Sequence, residues 1–219
     1  KGKQSDAEKG NYSKLNNKGT LELRNIGIAS EYLPKKFIIK EGVFKINQDK
    51  MSFNNFLATY GQSDFKMNGY LQNVFNYVMT NTGVLKGSFK VSSRYINVDE
   101  FMSSVDPNTP VTQSSTPKTE TKTETKPSDN TQTGVIIIPS NLNLQLIAHA
   151  QKVNFDKLNL QNATGNLTMK KGKLIMQNTG FNLIGCNVSM NANYQAITPQ
   201  KANFDYTIKA TDFDIKRAY

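Results

Sequence analysis

One pattern of alternating apolar and polar residues occurs twice in this chain, and that repetition limits what it can fold into. At a constant offset of 123 residues, Leu21 lies over Leu144, Gly42 over Gly165, Phe44 over Leu167 and Ile46 over Met169. The same offset sets Lys50 over Lys173, Phe53 over Met176, Phe65 over Val188 and Met67 over Met190. Between Leu71 and Gly87 the first copy carries six extra residues, after which an offset of 117 sets Phe89 over Tyr206 and Val91 over Ile208. Two copies of one supersecondary unit explain such self-similarity.

Within each copy the period is two. In "SNLNLQLIAHAQ", Leu142, Leu144, Leu146, Ala148 and Ala150 alternate with Asn143, Gln145 and His149, the pattern of a strand with one apolar and one wet face. The second copy reads as antiparallel strands over about 142–150, 152–160, 163–170, 173–178, 180–184, 186–194 and 203–211, with a short final run at 213–216. "KKGK" at 170–173 is a hairpin turn in which Gly172 is free to take positive φ. "NQDK" at 47–50 is its counterpart, and "TPQK" at 198–201 is a Pro-containing turn. In the insertion, Leu71, Val74, Phe75 and Val78 fall at helical spacing, which predicts a short amphipathic helix near 72–79.

Residues 103–134 are Thr, Pro, Ser, Lys and Glu with almost no large apolar side chain, too little to offset the entropy of ordering them. The organisation is therefore a polar lead-in at 1–17, a first β unit at 18–102, a linker or loop at 103–134 and a second β unit at 135–219. Beginning without Met and ending directly after a strand, the chain reads as a fragment of a longer protein.

The alternation collects an apolar face. In the second copy it holds Leu144, Leu146, Phe155, Leu167, Met169, Leu174, Met176, Val188, Met190, Phe204, Tyr206 and Ile208; in the first, Phe44, Ile46, Phe53, Phe65, Met67 and Phe89. A dozen such side chains left in water forfeit about 2 kcal/mol each, more than the net stability of roughly 5–15 kcal/mol typical of a domain. The face must be covered. A mainly β fold does so either as a curled, taco-like grooved sheet or as an elongated sandwich.

Reactive chemistry is sparse. The single His149 and single Cys186 rule out a His-rich metal site and an intramolecular disulfide, and neither has a motif partner. His149 falls on the polar face, and Cys186 reads as a small, partly buried residue. Asp212 and Asp214 in "DFDIK" align with Tyr95 and Asn97, so they read as structural rather than as a catalytic pair. An enzyme is not expected, and no cofactor or metal is called for. The net charge is +10, but Lys and Arg are spread through alternating segments without the concentrated stripe of a nucleic-acid binder. A solvated Lys-rich sheet face is the expectation, compatible with weak attraction to anionic lipid headgroups.

The closing segments of the copies, "FKVSSRYINVDEFM" and "YTIKATDFDIKRAY", together with the shared strand layout, resemble the AsmA-like proteins of Gram-negative envelopes, particularly their C-terminal region. The likeness extends over about 18–102 and 135–219. It implies a periplasmic protein held in the inner membrane by an anchor outside this chain. It also implies a role in outer-membrane biogenesis or inter-membrane lipid transport, with phospholipid acyl chains along an apolar β-groove and envelope proteins as further partners. The alternative is a closed β-sandwich acting as a binding or scaffold module for protein or glycan.

Overall fold

The computed structural model describes residues 18–30, 32–80, 82–102, 135–198 and 200–212. The lead-in, the 103–134 segment and the 213–216 run fall outside them.

The copies supply five strands each: β1 (Lys18–Ser30), β2 (Leu33–Asn47), β3 (Lys50–Tyr60), β4 (Ser63–Gln72) and β5 (Leu85–Asn97), then β6 (Leu142–Phe155), β7 (Leu158–Lys170), β8 (Lys173–Leu183), β9 (Cys186–Thr198) and β10 (Lys201–Thr211). All ten form one sheet in sequence order. Every neighbouring pair is antiparallel except β5 and β6, which run parallel with Leu85 opposite Leu142 and Phe89 opposite Leu146. The second copy therefore enters the sheet in the same orientation as the first. Among the described residues there is no second sheet, so the fold is the curled meander and not a sandwich.

Three breaks of the sequence reading are absent. One is at 161–162, where β7 runs from Leu158 through a bulge near Asn162 to Lys170. The break at 151 is absent too: β6 continues to Phe155, and the turn lies at Asp156–Lys157, with Asp156 at φ 54°. The expected separate strands at 173–178 and 180–184 are one strand, β8. What resembles a turn there is a bulge. Asn178 has φ 49°, and the pairing of β8 with β9 slips by one residue between Met176 and Thr179. In the first copy Asn55, at φ 54°, marks the same slip between Phe53 and Phe56 against β4. A one-residue bulge bends its strand and raises the local twist. Occurring at equivalent points of both copies, it turns a flat sheet into a curled one.

Three short segments close the ends. Helix α1 (Val74–Met79) follows β4, starting within the expected 72–79 while Leu71 stays in the strand. A 3₁₀ turn (Val98–Phe101) follows β5 and stacks Phe101 on Tyr60, ring centroids 4.4 Å apart. Residues 135–139 lead back into β6, and Ile136 donates its N–H to the Tyr194 hydroxyl at 2.8 Å. Burial raises the Tyr194 pKa against the opposing pull of that hydrogen bond.

Candidate functional site

The apolar residues line up in rows that cross all ten strands. One row runs Gly19, Ile46, Met51, Leu71, Gly87, Leu144, Met169, Leu174, Tyr194, Phe204, each the register partner of the next. The next row runs Leu21, Phe44, Phe53, Gly69, Phe89, Leu146, Leu167, Met176, Ala192, Tyr206. Beyond the bulges Phe56, Met67, Val91 and Ala148 continue the face in the first copy and at the junction, and Met190 and Ile208 in the second. Phe65 pairs with Ala58, and Val188 with Phe181. Only Phe155, of the residues singled out from sequence, stands apart, at the far end of β6 opposite Leu158 and exposed. Because β5 pairs directly with β6, the two copies share one continuous apolar face.

The two halves of that face are filled differently. In the first copy Phe44, Phe53 and Phe56 meet at centroid distances of 5.5–5.6 Å, and Phe89 stands 6.0 Å from Phe53. Phe44 and Phe53 are 6% and 5% exposed, and Val74 of α1 packs against the same cluster. Gly42 makes room for it: a Cβ there would meet the Phe56 ring at 2.6 Å. Large rings on a curled sheet thus bury one another without a second layer.

At the equivalent places the second copy has Leu167, Met176 and Thr179, and no comparable cluster forms. Leu146, Leu167, Met169, Leu174, Met176, Val188 and Met190 are half-buried. On the edge strand Phe204, Tyr206 and Ile208 are 47%, 59% and 48% exposed. Part of this half is roofed by residues 135–139, where Ile138 is buried. The rest is an open apolar wall. A depression of about 580 Å³ beside it, at the second bulge, is bordered by Gln177, Asn178, Asn191, Asn193 and Asp205 and is polar in character.

The far rim is fixed by polar contacts that sequence reading did not anticipate. Tyr60 is fully buried; its hydroxyl accepts from the Lys35 N–H and donates to the Glu100 carbonyl, each at 3.0 Å. Burial raises its pKa, and the nearby Lys35 opposes the rise. The Glu100 carboxylate accepts from Lys35 Nζ at 2.6 Å and from the Gln62 N–H at 2.8 Å. Gly61, at φ 54°, leaves the space that the carboxylate occupies. His149 is exposed, Cys186 is buried, and Asp212 accepts from Asn187 at 2.9 Å. Asp214 lies outside the described residues.

Sequence reading also missed how the lysines are arranged. Lys18, Asn47, Lys50, Gln72, Lys86, Asn143, Lys170, Lys173, Gln195 and Asn203 form a third row of successive register partners, one per strand. It lies next to the first apolar row and, by alternation, on the opposite face. Each of its lysines is the first or last residue of a strand or adjoins one. That was the available signal: hairpin-flanking lysines of antiparallel strands return to the same end of a sheet.

No cluster of His, Cys, Asp or Glu among the described residues could hold a metal, and no helix among them is long and apolar enough to cross a membrane. No protein-family model matches the chain, nor does any curated protein or solved structure.

Proposed function

We propose that the chain is part of an AsmA-type envelope protein whose apolar trough shields or conveys phospholipid acyl chains. One observation carries the reading: an apolar face runs unbroken across ten strands, and its second half is left open where the first half is filled by phenylalanines. An open apolar wall of this length costs stability in water, and acyl chains supply the missing cover without requiring a fixed shape. Half-buried Met176 and Met190 suit such an occupant, because the unbranched thioether adapts to irregular apolar surfaces. The work is non-enzymatic in this reading, and the setting is the periplasm, with an inner-membrane anchor supplied by sequence outside this chain. A closed sandwich module has less support, since one layer of strands leaves no partner sheet.

Native mass spectrometry of detergent-free protein, with a photo-crosslinking residue at Met190 in cells, tests the reading. Co-purified phospholipid and crosslinked lipid are expected. Lipid-free protein together with an unlabelled crosslinker would overturn it.

A further inference from the structure

The two rims of the sheet differ in charge. At the rim where β1 begins, Lys18, Lys50, Lys86, Lys170 and Lys173 stand in one register row, every one exposed and none in an ion pair among the described residues. Asp49 is the acid at that rim among the described residues. Strands are spaced about 4.8 Å apart, so these lysines, carried on β1 to β8, are spread over roughly 34 Å of that edge. At the opposite rim Asp64, Asp99, Glu100, Asp156 and Asp212 are balanced by Lys35, Lys36, Arg94, Lys152 and Lys157, and two of those cations are already paired.

The basic rim has a second property. Helix α1 lies between β4 and β5 at that end and projects Val78 and Met79, 71% and 68% exposed. Ile197, near the end of β9, is exposed at the same rim. Apolar tips beside lysines that make no ion pair, Lys50 resting over the Tyr70 ring at 4.2 Å, are what an interfacial segment needs: the lysines meet anionic headgroups while the tips enter the acyl boundary. On a nucleic acid the lysines would find phosphates, but the three aliphatic tips would find no partner. The opposite rim also has apolar tips, Phe155, Leu158 and Ile184, but its five carboxylates oppose an anionic surface.

We propose that the rim bearing Lys50, Lys86 and Lys173 docks on the surface of an anionic bilayer, with Val78 and Met79 inserted at the headgroup boundary. This docking does not depend on the trough carrying lipid, because it uses the lysines of the opposite face and the exposed end of α1 rather than the apolar rows.

The chain has no Trp, so a single introduced Trp reports one position. Met79→Trp and, on the far rim, Ile184→Trp would be mixed with vesicles of phosphatidylcholine alone or of phosphatidylcholine with phosphatidylglycerol. The expected result is a blue shift of Met79→Trp with the anionic vesicles only, reversed by salt, and none for Ile184→Trp. In co-sedimentation, the triple variant Lys50→Gln, Lys86→Gln, Lys173→Gln should lose about tenfold or more of vesicle partitioning, with unchanged circular dichroism. If that variant does not fold, the paired Trp measurements decide alone. Three results would overturn the proposal: no anionic-vesicle binding, an equal shift at Ile184→Trp, or lysine-dependent binding of duplex DNA in the absence of vesicle binding.

Discussion

The backbone N–H of Asn55 donates to the side-chain oxygen of Asn68 at 2.7 Å, and 123 residues later Asn178 does the same to Asn191 at 2.9 Å. In each pair the donor is the positive-φ residue of the bulge, and the acceptor is the single residue opposite it. Asn tolerates that conformation and its side chain supplies the bond that the interrupted ladder leaves unmade. These four asparagines thus set the matched bulge of each copy. Replacing Asn55 or Asn178 by Val should cost about 1–3 kcal/mol through the strained φ, whereas Gly at either place should be tolerated within a few tenths. Asn68→Ala or Asn191→Ala should cost about 1 kcal/mol. Urea midpoints at constant slope would measure all of these.

Gly42 and Gly165 occupy equivalent sites with unequal neighbours. An added Cβ meets the Phe56 ring in the first copy, and Thr179 Oγ1 at 2.8 Å in the second. The ring belongs to a buried cluster and cannot move without disturbing Phe44 and Phe53. Gly42→Ala should therefore destabilise by about 1–3 kcal/mol as overpacking. Gly165→Ala meets the single side chain of Thr179, whose hydroxyl is buried without a hydrogen-bond partner among the described residues, rather than a ring of a packed cluster, and should cost less. A smaller loss at Gly42 than at Gly165 in denaturant titration would contradict this.

Asp64 sets a pH dependence. Burial alone would raise its carboxyl, but N–H bonds from Tyr95 at 2.9 Å and Arg94 at 3.1 Å, with the Arg94 guanidinium, hold it below the usual value. A carboxylate depressed in the folded state contributes stability above its unfolded pKa of about 3.9. That contribution is lost as pH falls through the folded value. The guanidinium is 82% exposed, so the backbone donors carry most of the effect. Asp64→Asn should lower stability by about 1 kcal/mol at neutral pH. The gap to wild type should close as pH falls below about 4. A gap that does not change between pH 7 and 3 would show that the charge contributes nothing.

Tyr60 ties the 3₁₀ turn to β2 through two hydrogen bonds made by one buried hydroxyl. Tyr60→Phe keeps the stacking on Phe101 but strands the Lys35 N–H and the Glu100 carbonyl. The expected loss is about 1–3 kcal/mol, and amide exchange at Lys35 should accelerate more than exchange in the middle of β3.

The repeat, the hairpins and the apolar face were legible because each is written locally, as alternation and turn chemistry a few residues apart. The break between 173–178 and 180–184 was misread for the same reason: from the sequence alone a strand end and a bulge look alike, and only the partner Asn191 distinguishes them. The basic row needed register as well. Lys18 and Lys173 are far apart in the chain and share an edge only because ten strands align end to end. The parallel junction of β5 with β6 also leaves no local mark, since the segment that makes it possible is the low-complexity stretch between the copies.

Phe53 and Met176 test whether the two halves of the trough differ as their exposure indicates. Phe53 packs among three other rings and is 5% exposed, so Phe53→Ala should cost about 3–5 kcal/mol in transfer and cavity terms. Met176 occupies the same register position but is half-buried on the open wall, and about half the full burial contribution is at stake, roughly 1–2 kcal/mol for Met176→Ala. Asp substitutions separate the cases further. Phe53→Asp places a carboxylate among closely packed rings and should abolish the cooperative transition. Met176→Asp can turn its carboxylate to solvent and should leave a folded, less stable protein, and under the proposed function it would also lose lipid capture. If Met176→Asp unfolds the chain as Phe53→Asp does, the second half is a sealed core, and the trough has no vacancy for an acyl chain.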